Sequence, residues 1–201
     1  PMGISFYTFQ TMAYSIDIFK GKINAETHLG KFALYVSFFP QLVAGPIERA
    51  EKLLPQFQSN NNKFTFENFI SGTTQVLFGL YKKVVVADLI SIYVESIYGT
   101  YELYTGFTLL FATYLFAIQI YCDFSGYTDI AIGSARILGY DLMENFRTPY
   151  FSKSITEFWR RWHISLSSWL RDYLYINLGG NRKGRILTYR NLMITMLLGG
   201  L

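Results

Sequence analysis

Residues 103–122, LYTGFTLLFATYLFAIQIYC, run for 20 positions without a charged side chain. A helix needs about 20 apolar residues to cross the hydrocarbon core of a bilayer. In lipid every backbone N–H and C=O has to be satisfied within the span, which leaves helices and closed barrels. No period-two alternation extends over a useful length, so sheet is not expected. Composition agrees with a membrane chain: 51% of the 201 residues are hydrophobic and only 16% are charged, where a soluble domain carries about 25% charged residues. The fold class expected is all-α: a polytopic helical membrane protein with re-entrant and interfacial amphipathic helices, in one membrane-embedded domain over residues 1–201. The chain begins at Pro1 and stops inside the apolar run MITMLLGGL, and it is read as a piece truncated at both ends.

Other apolar segments are less clean. Residues 1–16 are uncharged but hold Pro1, Gly3 and several hydroxyls, and residues 32–47 are broken by Pro40, Gly45 and Pro46. Because proline removes a backbone donor, the second of these reads as a helix followed by irregular, re-entrant backbone that protein has to bury. QFQSNNNKFTFEN, at 56–68, reads as a surface loop, with Thr65 or Asn68 opening a helix that runs to about Ile97 and borders water at Lys82, Lys83 and Asp88. The last apolar run is 186–201. Net charge is +4, yet the one basic cluster, NRKGR at 181–185, fits a cytoplasmic loop beside an apolar segment, and no nucleic-acid partner is expected. The single cysteine, Cys122, excludes an intrachain disulfide and a cysteine zinc cluster. No metal-ligand spacing appears, and His28 stands alone in a polar loop.

FWRRWHISLSSWLRDYLYINLGG, residues 158–180, reads as one helix. SITE at 154–157 fits a capping box, and Gly179 and Gly180 supply the stop. At about 100° per residue, Phe158, Trp159, Trp162, Leu166, Trp169 and Tyr173 fall in one apolar arc. Glu157, Arg160, Arg161, Ser165, Ser167, Ser168, Arg171 and Asp172 take the other side, the pattern of an interfacial helix or one lining a wet funnel. His163 lies at the edge of the apolar arc, and Asp172 is too far round the helix to orient it. Two readings stand for this histidine: a side chain satisfied structurally by a carbonyl, or a functional group whose partners come from elsewhere.

YCDFSGYTDIAIGSARILGYD, at 121–141, sets Asp123, Ser125, Thr128, Asp129 and Arg136 among apolar residues. Ionisable groups at membrane depth are a functional hypothesis by default. The alternative is a helix that ends at Asp123 and enters the interface. Ser125 is a poor nucleophile, because DFSGY lacks the Gly-x-Ser-x-Gly elbow.

PMGISFYTFQTMAYSIDIFKG, FFPQLVAGPIERAEKLLPQF, YCDFSGYTDIAIGSARILGY, NFRTPYFSKSITEFWRRWHISLSSWLRDYLYINLGGNRKG and NLMITMLLGGL resemble, in order and over nearly the whole chain, successive blocks of the membrane-bound O-acyltransferase family. The similarity is to its bacterial polysaccharide O-acetyltransferase branch, typified by alginate O-acetylation, and the long block ending LGGNRKG is highly specific. Asn177 stands where a proline is common. Family members carry a second, buried catalytic histidine in a Trp-His-Gly stretch after a segment similar to MLLGGL. The resemblance places it just beyond Leu201, so these 201 residues alone are expected to be inactive.

The resemblance implies acyl transfer from a thioester to a hydroxyl, in which a neutral histidine takes or relays the hydroxyl proton. The second histidine would be the principal base, and His163 would position a reactant or assist proton transfer. Trp159, Trp162, Trp169, Asp123 and Asp129 would line the tunnel where donor and acceptor meet, and its aromatic walls would exclude water that hydrolyses the thioester. It further implies a multi-pass protein of the bacterial inner membrane, with no tightly bound cofactor. The donor would be a cytoplasmic thioester such as acetyl-CoA. The partners would be the lipid bilayer, an extracytoplasmic acetyl-accepting or relay protein and a polysaccharide. The competing readings are D-alanyl transfer to teichoic acid and a non-catalytic transporter or scaffold in which Asp123, Asp129 and Arg136 form a polar pathway.

Overall fold

A hydroxyl at Thr65 accepts from the N–H of Asn68 at 3.1 Å and so opens α4, Phe66–Leu80, as a capping residue does. In the computed structural model, which describes residues 4–42, 45–58 and 64–199, the described residues form helices and turns without a strand. The asparagines at 60–62, part of the proline-broken segment at 43–44, Pro1, Gly3 and Leu201 lie outside the described residues. The chain divides into two compact units: residues 1–38, 46–57 and 143–201, and residues 39–45 and 58–142.

In the second unit α4 continues through a π-helical turn, Tyr81–Ala87, into α5, Asp88–Gly99, and the chain then returns as α6, Gly106–Ile137. At 1.5 Å per residue the 32 residues of α6 extend about 48 Å, enough to cross a bilayer. It is the one described helix long and apolar enough to do so. The helix does not end at Asp123. It runs on to a glycine stop, where Gly139 adopts φ +82° and the N–H groups of Gly139 and Tyr140 return to Arg136 O and Ala135 O, a Schellman closure.

The two aspartates inside α6 are matched by lysines on the facing element, which lets the helix carry them without breaking. Lys83 meets Asp123 at 2.7 Å, and Lys82 pairs with Asp129 and reaches Ser125 Oγ at 3.3 Å. Glycine lets the two backbones close. Cβ atoms added at Gly72 and Gly79 would meet the carbonyl oxygens of Gly133 and Gly126 at 2.6 and 2.7 Å. Small residues at such crossings drive helix association in lipid. Phe78, Leu110, Phe111 and Tyr114 are exposed, as lipid-facing side chains are.

The first unit packs α1, Ile4–Phe19, against α2, Leu29–Ser37: Gln10 Nε2 donates to Tyr35 O at 2.8 Å, and the Tyr14 ring lies 5.0 Å from Phe32. His28 caps α2 by accepting from Lys31 N at 3.3 Å. The helix stops before Pro40 as that proline requires. α3 covers Ala50–Gln58. Ala13, Ile47, Trp169 and Tyr173 form a common core, and Arg49 sits over the Tyr173 ring at 4.4 Å.

Candidate active site

The capping box forms almost as the sequence suggests. Ser154 Oγ accepts from Glu157 N at 3.1 Å, and Glu157 reaches back to Lys153 N at 2.8 Å, one residue earlier than in the standard box. The helix it opens is short. α7 covers Ile155–Arg161, Trp162 is extended, and His163 takes a left-handed conformation at φ 44° and ψ 58° before α8, Ile164–Trp169. A π-helical turn, Leu170–Tyr175, follows. The continuous helix expected over 158–180 is therefore broken at His163. A non-glycine residue at positive φ is uncommon, though histidine is enriched among them, and such strain concentrates at functional sites.

A broken helix exposes the first amides of its second half, and His163 supplies no side-chain cap. Asn145 supplies one from another segment. Its backbone oxygen accepts from Ile164 N at 2.8 Å, and its Oδ1 accepts from Ser165 N and from Ser165 Oγ, each at 3.0 Å. Ser165, assigned to the outward polar side by the wheel, is fully buried. The reversal at His163 turns it inward. Ser165 Oγ in turn lies 3.5 Å from His163 Nδ1.

His163 is 8% exposed, with the Phe146 ring 5.8 Å away. Burial pushes its pKa down to about 4, because the charged form is penalised away from water. It is neutral at physiological pH, with a hydrogen on one ring nitrogen and a lone pair on the other. The segment that delivers Asn145 is anchored by another buried group: Glu48, 1% exposed, whose Oε1 accepts from the N–H of Met143. Burial raises that carboxyl to about 7. A second rung, Arg147 N to Arg161 O at 2.9 Å, ties the same segment to the end of α7.

The break also divides the ring-rich face. Trp162 stacks on Phe158 at 5.6 Å and 14° and meets Phe146 edge-on at 5.2 Å, so these rings stand beside His163. Trp159 packs edge-on against Phe158 at 5.5 Å and is 40% exposed. Trp169 belongs to a separate cluster. Its ring lies 4.6 Å from Phe9 at a tilt of 58°, and its Nε1 donates to Phe9 O at 2.9 Å. Asp123 and Asp129 lie in the other unit, in ion pairs with Lys83 and Lys82. Asp172 pairs with Arg49 at 3.3 Å, consistent with its exclusion as the partner of His163.

Asn145, Ser165 and Glu48 were missed by the sequence reading. Asn145 sits in a loop with no periodicity, Ser165 was misplaced by assuming an unbroken helix, and Glu48 is one carboxyl group in the short irregular stretch between Pro46 and α3. Asn191, also fully buried, was missed as well; its Nδ2 donates to Gly180 O at 3.1 Å and holds the glycine stop against α9, Arg185–Gly199. No group of three or more His, Cys, Asp or Glu side chains suited to a metal occurs among the described residues.

Residues 24–201 match the model of MBOAT, the membrane-bound O-acyltransferase family. Over all 201 residues the chain is 51% identical to the probable alginate O-acetylase AlgI of Pseudomonas fluorescens, of which it covers 40%. It is 37% identical to the peptidoglycan O-acetyltransferase of Helicobacter pylori, with 100% of the chain and 43% of that protein aligned. Against the teichoic acid D-alanyltransferase of Bacillus subtilis identity falls to 31%, over 87% of the chain and 45% of that protein. The chain thus spans about two fifths of the length of the curated relatives it matches. With the family model matched from residue 24 onward and a buried, neutral histidine in the block that carries the resemblance, the chain belongs to the membrane-bound O-acyltransferase family.

Proposed function

We propose that this chain is part of a bacterial inner-membrane O-acetyltransferase that moves an acetyl group from a cytoplasmic thioester, such as acetyl-CoA, toward hydroxyls of an extracytoplasmic, alginate-like polysaccharide. The observation that carries the reading is His163, neutral through burial and held in a strained backbone reversal beside Trp162 and Phe146. The 51% identity to a probable alginate O-acetylase, against 31% to a teichoic acid D-alanyltransferase, supports acetyl over D-alanyl transfer.

The chemistry needs one proton acceptor and a dry site. The acceptor hydroxyl attacks the thioester carbonyl carbon, its proton passes to an imidazole, and the C–S bond breaks. The departing thiolate then takes that proton from the imidazolium. His163 aligns the hydroxyl by accepting its hydrogen bond and relays the proton, alongside the second histidine that the family resemblance implies. Phe146, Phe158 and Trp162 keep water from the thioester, and Trp159 extends that aromatic lining. An acetyl-accepting relay protein on the outer side would carry the group on to the polymer.

The test is acetyl transfer from radiolabelled acetyl-CoA by the intact protein in membrane vesicles. His163→Ala is expected to abolish transfer while expression persists. Full transfer by that variant would remove His163 from the reaction. Loss of solute flux in Asp123→Asn with acetylation intact would favour a transporter.

A further inference from the structure

We propose that Ser165, held by Asn145, is a positioning residue that sets the tautomer of His163, keeping the proton on Nδ1 and the lone pair on Nε2. The inference rests on the reading of His163 as the group that relays the hydroxyl proton.

The argument starts from a donor that has no choice. The backbone N–H of Ser165 can only donate, so the Asn145 side-chain atom 3.0 Å from it has to be the oxygen. Asparagine O and N are otherwise assigned from their surroundings, and here the surroundings leave one orientation. That same oxygen lies 3.0 Å from Ser165 Oγ, so the single hydroxyl proton of Ser165 points at Asn145. A hydroxyl has one proton and two lone pairs. What Ser165 offers His163 Nδ1, at 3.5 Å, is therefore a lone pair.

Nδ1 then carries the hydrogen, and in a neutral imidazole the other nitrogen is the acceptor. The separation is long for a resting hydrogen bond, as bonds at catalytic centres often are before substrate tightens them. The arrangement has the logic of any histidine whose second nitrogen is held by an orienting partner. Its direction runs from an obligatory backbone donor through Asn145 and Ser165 to the ring. Glu48 secures the start of the relay by holding the Met143 amide, two residues before Asn145.

The smallest useful change is Ser165→Ala. The alanine keeps the backbone N–H that Asn145 Oδ1 caps, so the start of α8 survives and only the hydroxyl is lost. The intact protein, labelled with 15N-histidine and placed in lipid bilayers, is read by solid-state NMR, with His163→Asn subtracted to assign the ring. In the unmodified protein Nδ1 is expected to show the protonated, pyrrole-type signal and Nε2 the unprotonated one. In Ser165→Ala the proton is expected to move to Nε2, with kcat for acetyl transfer falling about a hundredfold, since a wrong tautomer or a lost orienting partner costs from about tenfold to 10⁴-fold, and KM for the acetyl donor unchanged. Ser165→Thr, which keeps the hydroxyl, is expected to restore the Nδ1–H signal.

A protonated Nε2 in the unmodified protein would overturn the proposal, and so would a Ser165→Ala ring that keeps its proton on Nδ1. Failure of the underlying reading looks different: His163→Ala would retain acetyl transfer whatever the tautomer signals report.

Discussion

The carbonyl of Asn145 accepts from the N–H of Ile164 at 2.8 Å while its side-chain oxygen accepts from Ser165 N at 3.0 Å, so one residue caps α8 twice from outside the helix. Helix starts usually find their cap in the residue just before. Here that residue is His163, and its ring faces Ser165 and Phe146 instead.

Replacing Asn145 should therefore cost more than replacing Ser165. Asn145→Ala strips the acceptor from two buried donors of Ser165, each worth about 1–3 kcal/mol when left unsatisfied. Ser165→Ala removes one donor together with its side chain and should cost about 1 kcal/mol. Thermal unfolding of the two detergent-solubilised variants checks the order, and equal losses would contradict the capping role.

The α4–α6 crossing predicts a contrast between two glycines. A methyl at Gly79 would lie 2.7 Å from Gly126 O and 2.9 Å from Ile130, which forces the helices apart. Gly79→Ala should destabilise by roughly 2–4 kcal/mol, within the range of overpacking and disrupted helix contact. At Gly99 nothing lies within 4 Å of an added Cβ, so Gly99→Ala should be neutral within about 0.5 kcal/mol. Equal melting temperatures for both variants would show that the backbones do not approach as described.

Lys82 and Asp129 are 14% and 20% exposed at their side chains, and breaking a poorly solvated pair is costly because it strands a charge. Lys82→Ala should destabilise by about 3 kcal/mol. Adding Asp129→Ala should recover a large part of that, since directly paired residues are not additive. A double-mutant cycle on unfolding reads the coupling, and strict additivity would mean that the pair contributes nothing.

Two buried groups give stability opposite pH dependences. His163 titrates near 6.5 when unfolded and near 4 when folded. Between those values only the unfolded chain binds the proton, so its contribution is fully present above pH 6.5 and lost as pH falls toward 4. At about 1.4 kcal/mol per unit the swing is about 3 kcal/mol. Glu48 moves from 4.5 up to about 7. The folded chain holds that proton after the unfolded chain has released it, so stability is lost as pH rises from 4.5 toward 7.

The two slopes oppose one another between about pH 4.5 and 6.5. Glu48→Gln removes one of them while keeping an acceptor for Met143 N, and its stability should rise by about 3 kcal/mol from pH 4 to 6.5. A profile that matches the unmodified protein would mean that Glu48 is not held neutral. The acid limb of kcat/KM, if His163 relays the proton, should lie below pH 6 in both.

Local chemistry in the sequence determined much of the molecule. The uncharged run at 103–122 gave α6, and the hydroxyl–acid spacing at Ser154 and the hydroxyl at Thr65 gave helix starts. Glycines at 139, 179 and 180, all at positive φ, gave helix ends. Period and capping are properties of a few adjacent residues, and no distant partner is needed to read them. The blocks of family resemblance were legible for the same reason, and His163 stood out in them.

Tertiary structure alone decided what surrounds that histidine. A helical wheel assumes an unbroken helix, and it sent Ser165 outward; the chain reverses at His163 because Asn145 offers the stranded amides an acceptor that no neighbouring residue supplies. The same holds for Asp123, which the sequence left equally able to end a helix or sit inside one. Lys83, 2.7 Å away on the facing element, made continuation possible by neutralising it. In both places the outcome turned on where a buried polar group found its partner, and that partner came from another element of the fold.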